Sequence, residues 1–523
     1  VSERKLQHFH GGLHLQGHKE LSTGTPVLIA PVPPLLIFPL QQHIGEPAEP
    51  VVKVGERVRK GQLIARATGY VSAAVHASSS GTVVAIEERP VPHPSGLSAP
   101  CIVIESDGRD EWLEERQAAR VEDLEPAELR ARVRASGIVG LGGAAFPTSV
   151  KLNPGEHRPV EILVINGAEC EPYITCDDLL MRERAREIIA GIRILQHVLQ
   201  PKETIIGIED NKVEAIAALR EALIAEGARH IELVDIPTIY PTGGEKQLVK
   251  VLTGREIPSN GLSFDVGVVC QNVGTAVALH RAIDLGEPLI SRFVTVTGGA
   301  VHQPRNVEVR LGTPVRDLID FCGGYTDDID RLLQGGPMMG FALHADIVPV
   351  IKATNCILVA ARGEVFQPDE PMPCIRCGAC ESVCPARLLP QQLYWYARSR
   401  DLDKAQEYHL FDCIECGCCA AVCPSHIPLV QYYRYAKTEV WDQERNRRAA
   451  ELARRRHEFR EARIERLKRE HEEARRKKRE ALKNKPETAE TDPKKAAIES
   501  ALARVKAKKA AAESDSTPTQ DGN

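Results

Sequence analysis

The sequence predicts a multidomain α/β protein, and three observations carry that expectation. Its 523 residues exceed what one hydrophobic core usually fills. A central stretch alternates apolar runs of strand length with helical runs, which argues for a mainly parallel sheet covered by helices. Two cysteine groups near residue 400, one a copy of the other, form a module of their own. The expected order is an N-terminal barrel-like β module over 1–115 and the alternating domain over 116–262. A small α+β module follows over 263–330, then a connecting segment over 331–366. The cysteine domain spans 367–440 and a charged helical and disordered tail 441–523.

Composition narrows the class. Hydrophobic content is 43%, charged residues make up 27% and aromatics 4%, within the globular range. A net charge of −5 favours no particular partner, and no nucleic acid is expected. Fifteen cysteines would suit a disulfide scaffold only in a short secreted chain. Val1–Leu21 has four His and no apolar leader core, and Pro26–Leu40 carries five prolines and is too short to cross a bilayer. The expectation is a soluble, reduced, cytoplasmic chain that reaches a membrane only through partners or a surface contact.

Taken in order, Pro47–Glu88 reads as short strands punctuated by Gly55, Gly61, Gly69 and Gly81. The stretch resembles the flattened barrel of biotinyl and lipoyl domains. Where those carry a modifiable lysine on a hairpin tip, this chain has Ala74-Val75-His76-Ala77, so a structural or docking barrel is expected. Next come a strand at Val160–Asn166, helical periodicity over Asp178–Leu199, a strand at Thr204–Glu209, a helix over Lys212–Glu226 and a strand at His230–Ile236. Ligands of such sheets bind at the C-terminal ends of strands, so the loops after Ile165 and Ile236 are the places to look. Phe264–Gly324 suits a small α+β module. Trp441–Lys483 holds 17 Lys and Arg against 10 Asp and Glu, which predicts a solvated helix laced with ion pairs, fading into disorder after Pro486.

Cys374-x2-Cys377-x2-Cys380-x3-Cys384-Pro385 recurs as Cys413-x2-Cys416-x2-Cys419-x3-Cys423-Pro424. This is the bacterial-ferredoxin run for two [4Fe–4S] clusters, in which the fourth cysteine serves the neighbouring cluster. One cluster is then expected on Cys374, Cys377, Cys380 and Cys423, the other on Cys413, Cys416, Cys419 and Cys384. Zinc is the alternative, but it takes ligands in pairs and not in a doubled 2-2-3 spacing. Cys418 falls off the pattern and reads as a non-ligand. His8, His10, His14 and His18 lack a Cys or carboxylate to complete a metal set, and Cys170 and Cys176 read as packed thiols.

Gly137-Ile-Val-Gly-Leu-Gly-Gly-Ala-Ala-Phe-Pro-Thr148 is a dense glycine loop whose backbone suits close approach to a phosphate. It does not follow a strand, so the usual dinucleotide fingerprint does not apply. Its GLGGAAFPT resembles the GRGGAGFPT loop of the flavin- and NADH-binding subunit of respiratory complex I. Asn166-Gly-Ala-Glu169-Cys-Glu171-Pro, Tyr240-Pro-Thr-Gly243-Gly244-Glu245 and Gln271-Asn272-Val273 resemble further loops of that subunit, in the same order. Leu141 and Gly244 depart from its arginine and its first glutamate, and that subunit has one C-terminal cluster where this chain has a doubled motif.

The whole set, with the FHGGLHL start and the barrel's PLQQHIGEPAEPVVKVG, resembles the RnfC family, a component of the Rnf (Rsx) ion-translocating electron transport complex. The resemblance implies a lipoyl-like barrel, a Rossmann-like FMN/NADH domain, a β-grasp-like module and a two-cluster ferredoxin-like domain. It implies noncovalent FMN, NADH as substrate, and a peripheral place on the cytoplasmic face of a bacterial inner membrane. The partners would be the other subunits of that complex, including a ferredoxin-interacting iron–sulfur subunit. By motif, Gly140, Gly142, Gly143 and Lys151 would hold the FMN phosphate, and Asn166, Glu169 and Glu171 would line the isoalloxazine and nicotinamide. Tyr240, Gly243, Gly244, Glu245 and Asn272 would complete the pocket, with Glu169 and Glu245 closest to the chemistry. A soluble NADH-linked flavoprotein and a non-catalytic iron–sulfur docking scaffold remain the competing readings.

Overall fold

The computed structural model describes residues 4–155, 158–365, 370–484 and 493–513. They fall into two units, Val1–Val440 and Trp441–Asn523. The domain boundary expected at 366/367 lies outside the described residues.

The first unit opens on an extended strap that ends in α1 (Glu20–Thr23) and β1 (Leu28–Ile29). The barrel module follows as two antiparallel sheets. One is ordered β2 (Leu35–Pro39), β8 (Ser98–Ser106), β7 (Gly81–Pro90), β4 (Arg57–Val58), and the other β3 (Glu49–Pro50), β5 (Leu63–Arg66), β6 (Val75–His76). Phe38, Ile64, Ile102 and Ile104 fill its interior with no exposed surface, each contributing about 1.5–3 kcal/mol by leaving water. The stretch Ala74–Ala77 is buried and presents no tip. Its cover is the neighbouring modules, joined through Lys352, whose Nζ donates to Ala74 O (2.5 Å) and Gly137 O (2.6 Å). Burial brings that ammonium down to about 7.

After α2 (Pro126–Ala135) and α3 (Thr148–Lys151) comes a four-stranded, all-parallel sheet. Its order is β11 (Glu232–Ile236), β10 (Glu203–Glu209), β9 (Ile162–Gly167), β12 (Val268–Asn272). The helix expected over 178–199 is two helices, α4 (Cys176–Glu183) and α5 (Ala185–Leu199), because Arg184 leaves helical geometry at φ −125°, ψ 27°. With α6 (Val213–Ala225), α7 (Glu245–Thr253) and α8 (Val273–Asp284) they pack against the sheet. Helix α5 turns Ile188, Ile192 and Leu195 inward at helical spacing. A Cβ at its Gly191 would lie 1.8 Å from the Ala276 carbonyl of α8, so only glycine admits that contact. The sheet takes in β12 and α8, and therefore runs past residue 262.

A mixed six-stranded sheet comes next, ordered β1, β14 (Arg305–Arg310), β13 (Ser291–Thr297), β17 (Cys356–Ala361), β15 (Ile329–Gln334), β16 (Phe341–Ala342), with α9 (Val315–Phe321). The segment expected to connect domains, 331–366, thus supplies most of three strands. Their partners are distant in sequence: β17 pairs in parallel with β13, Thr295 opposite Cys356. No local periodicity reports a pairing of that reach.

The cysteine module comprises α10 (Ala379–Ser382), α11 (Pro390–Ser399), α12 (Leu402–Glu407), α13 (Cys418–Ala421) and the first turns of α14 (Leu429–Lys483). Its duplication extends to the backbone. Arg376 and Glu415 share a left-handed φ (57° and 59°), as do Gly378 and Gly417 (81° and 80°) and Arg387 and His426 (53° and 50°).

In the second unit, α14 is exposed beyond Trp441 and α15 (Pro493–Glu513) is also helical. The disorder expected after Pro486 gives way to helix over 493–513, where an Ala- and Lys-rich composition favours it; 485–492 and 514–523 lie outside the described residues. No helix of the described residues is long and apolar enough to cross a membrane.

Candidate functional site

A cavity of about 570 Å³ opens at the C-terminal ends of the parallel strands. Every predicted flavin-site residue lines it: Gly140, Gly142, Gly143, Lys151, Asn166, Glu169, Glu171, Tyr240, Gly243, Gly244, Glu245 and Asn272. The loops after β9 and β11 meet there because a parallel sheet splays its connections at that edge.

The glycine loop forms one wall, held by Gly140 N donating to Phe146 O (2.8 Å). Gly143 has φ +115° and open space where a Cβ would project. Leu141, in place of the resembled arginine, turns into the core, and its carbonyl accepts from the buried Arg292 (3.0 Å). Lys151 donates to Glu245 Oε2 (2.7 Å) and Cys270 O (3.2 Å). Burial opposes its charge, yet the Glu245 carboxylate holds its pKa above the ordinary value.

The acidic loop is rigidly bonded. Asn166 donates to Gly243 O (2.9 Å) and accepts from Ala168 N (3.0 Å). Glu169 accepts from Asp177 N (2.8 Å) and Asp178 N (3.3 Å), so its carboxylate sits on the start of α4. Glu171 accepts from Met338 N (2.8 Å) and Met339 N (3.0 Å), while burial raises its pKa. Asn272 caps α8 by accepting from Gly274 N (2.8 Å) and donates to Asp177 Oδ2 (2.6 Å). Gly244 is the N-cap of α7, whose first turn faces the cavity.

Sequence reasoning missed Asp177, Gln247 and the wall from Gln334 to Phe341. Asp177 stands next to Cys176 at the start of the helix after the acidic loop, a position that could have marked it. Burial first, and then Glu169, push its carboxyl up to about 7. Gln247 Oε1 and Gln271 Nε2 are buried cavity atoms with no hydrogen-bond partner among the described residues. The open glycine wall and the N-terminus of α7 at the cavity fit a polar phosphorylated ligand.

The cysteine module closes the far side. Ile414 lines the cavity, and Tyr240 donates through its hydroxyl to Cys416 O (2.6 Å). A separate small cavity is lined by Cys384 together with Cys413, Cys416 and Cys419, with Cys418 beside them. Cys374, Cys380 and Cys423 pack on the rim of the module's apolar core, and Cys377 is exposed. Eight thiols at this spacing are an apt donor set for iron–sulfur clusters. His10 meets Cys384 O (3.0 Å), His18 stacks on Tyr173, and burial raises the thiols of Cys170 and Cys176.

Comparison with known proteins agrees. Residues 7–109 match the RnfC barrel sandwich hybrid domain, 133–281 the Nuo51 FMN-binding domain, 293–342 the SLBB domain and 373–427 a 4Fe-4S dicluster domain. The chain is 51% identical over 459 residues to a Pseudomonas aeruginosa protein named as the C component of an ion-translocating oxidoreductase complex, covering 88% of this chain and 59% of that one. A Vibrio cholerae protein of the same name is 50% identical, with 89% and 60% covered. The chain therefore spans about three-fifths of these relatives' length. Among solved structures, an NAD+-reducing [NiFe]-hydrogenase in the H2-reduced state aligns over 61% of this chain and 64% of its own, at 18% identity and a TM-score of 0.43, too distant to carry weight. FMN and 4Fe–4S clusters are the cofactors these domains specify, and the chain belongs to the RnfC family of ion-translocating oxidoreductase complexes.

Proposed function

We propose that this chain exchanges hydride between NADH and FMN in the cavity and relays single electrons through two [4Fe–4S] clusters. In this reading it is a peripheral subunit of a membrane-bound, ion-translocating NADH:ferredoxin-type oxidoreductase. The observation that supports it most is the shared wall. The cavity that gathers all the flavin-motif loops ends on Ile414 and Tyr240, against the second cysteine loop.

FMN, stable in one- and two-electron states, supplies the step between a hydride donor and one-electron clusters. The chain's residues bind and orient. Gly140, Gly142 and Gly143 leave the phosphate a backbone wall, with Lys151 supplying charge. Glu245, fixed by Lys151, would line the nucleotide side, Glu169 and Glu171 would line the flavin side, and Asp177 can hold a proton at its carboxyl near neutral pH. Cys413, Cys416, Cys419 and Cys384 would hold the cluster nearer the cavity, and Cys374, Cys377, Cys380 and Cys423 the outer one. The test is anaerobic addition of NADH to the iron- and FMN-loaded chain. The flavin band should bleach first and the broad cluster absorbance second. A loaded chain whose flavin stays oxidised would remove NADH as donor.

A further inference from the structure

The N-terminal strap crosses both halves of the redox site without lining the cavity or supplying a cysteine. Gly12 N donates to Val383 O (3.0 Å), and His10 Nδ1 lies 3.0 Å from the carbonyl of the next residue, Cys384. Leu13 pairs with Tyr240 through two backbone bonds of 2.8 and 2.9 Å. Further along, Tyr173 N donates to Gly17 O (2.7 Å), and His18 stacks on the Tyr173 ring with centroids 4.6 Å apart. Lys19 then passes under the acidic loop and donates to three of its carbonyls, Glu169 O (2.7 Å), Glu171 O (2.7 Å) and Ile174 O (2.6 Å).

One short segment is therefore bonded to the cysteine that serves the inner cluster, to the tyrosine that touches that cluster's loop, and to the acidic loop of the cavity. An ammonium in three carbonyls replaces hydration that the buried loop would otherwise lose. The docking is close. Gly11 has φ +69°, and a Cβ there would stand 2.5 Å from the carbonyl carbon and oxygen of Val383. Only glycine allows the strap to lie this near the cysteine module.

We propose that His10–Lys19 is a clamp that sets the gap between the cavity and the inner cluster loop, with Gly11 and Lys19 as positioning residues at its two anchors. The proposal rests on the reading that the cavity holds FMN and that Cys384 joins the inner cluster. A clamp makes two predictions that a local structural role does not. Loosening one anchor loosens the other, and the step across the gap suffers while the step before it is spared.

The experiment compares the iron- and FMN-loaded chain with its Gly11→Val and Lys19→Met variants. Peptide-resolved hydrogen exchange, which needs no NADH, should show amides of 383–388 exchanging faster by about tenfold in Lys19→Met, although that substitution lies at the far anchor. In stopped flow, Gly11→Val should keep NADH-driven flavin bleaching within about twofold. It should slow cluster bleaching severalfold, since electron tunnelling weakens with every added ångström of gap. Unchanged exchange over 383–388 in Lys19→Met, or cluster bleaching at the wild-type rate in Gly11→Val, would overturn the clamp. Should Gly11→Val lose iron, Lys19→Met alone decides. Should NADH fail to bleach wild-type flavin, the donor reading falls and the exchange result still judges the clamp.

Discussion

Around Cys377 the first cysteine loop stands in the open. Ile375 is 69% exposed, and a Cβ on Gly378 would have nothing within 4 Å. Around Cys416 the second loop is enclosed by Tyr240, Leu13 and Met338, and a Cβ on Gly417 would meet the Met338 carbonyl at 2.9 Å. Spacing and backbone conformation are the same in both, down to the left-handed residues. Surroundings therefore assign the roles: the enclosed half faces the cavity and the open half faces outward. Cluster potentials follow burial, hydrogen bonding and nearby charge, so two halves of equal spacing would make unequal carriers.

The strongest challenge to that contrast is the crossed pairing. Cys384→Ser should cost the inner cluster, lowering iron from about eight atoms to about four, and should leave NADH able to bleach flavin with no cluster following. Cys423→Ser should cost the outer cluster and keep transfer to the inner one. Reduced-state EPR distinguishes the two, and the opposite assignment would end the crossed scheme.

A smaller effect concerns protons. Asp177, pushed up to about 7, is protonated below that pH and ionised above it. If its carboxyl supplies a proton during flavin reduction, the NADH-driven rate should fall by about tenfold between pH 6 and pH 8. Asp177→Asn should flatten the profile. The later step between clusters, measured in the same traces, should show no such dependence, since it moves an electron and not a hydride.

Charge offers a finer probe. Lys437 is buried, and its Nζ donates to Cys413 O (2.7 Å) and Glu415 Oε1 (2.8 Å). Its positive charge would favour reduction of a cluster held by that loop. Lys437→Met should lower that cluster's midpoint potential by about 60 mV, a tenfold change for one electron, and leave the outer cluster's unmoved in a redox titration.

The smallest expected effect is none. In the first half α11 stops at Ser399 with Arg400 left-handed, while its counterpart α14 continues to Lys483. Its buried residues end at Val440. Deleting residues from Asn484 onward should leave iron, flavin and both EPR signals intact. Loss of either cofactor would make the tail part of the fold.

What the sequence disclosed, and what it hid, follows from distance along the chain. Cysteine spacing and the glycine loop are local patterns, and the residues they named all reached the cavity or the cysteine module. Gln334 to Phe341 form a cavity wall invisible to such reading, because β15 and β17 find their partners only through sheet pairing. Asp177 escaped notice because an aspartate opening a helix looks like any charge favouring a helix N-terminus. The motif located Glu169, but only the fold shows its carboxylate spent on the α4 amides. His76 sat where a modifiable tip was sought, and lies buried because Lys352 brings another module onto it.

Strand β1 has a consequence in time. Leu28 and Ile29 pair in parallel with Val307 and Glu308 of β14, so a strand made early waits for one made nearly 280 residues later. At about 5–20 residues per second of synthesis, that wait lasts roughly 14–56 s. An apolar edge left unpaired for so long invites association with other nascent chains, and a strand of only two residues offers them little to pair with. Brevity there acts as protection during birth, before any electron is carried.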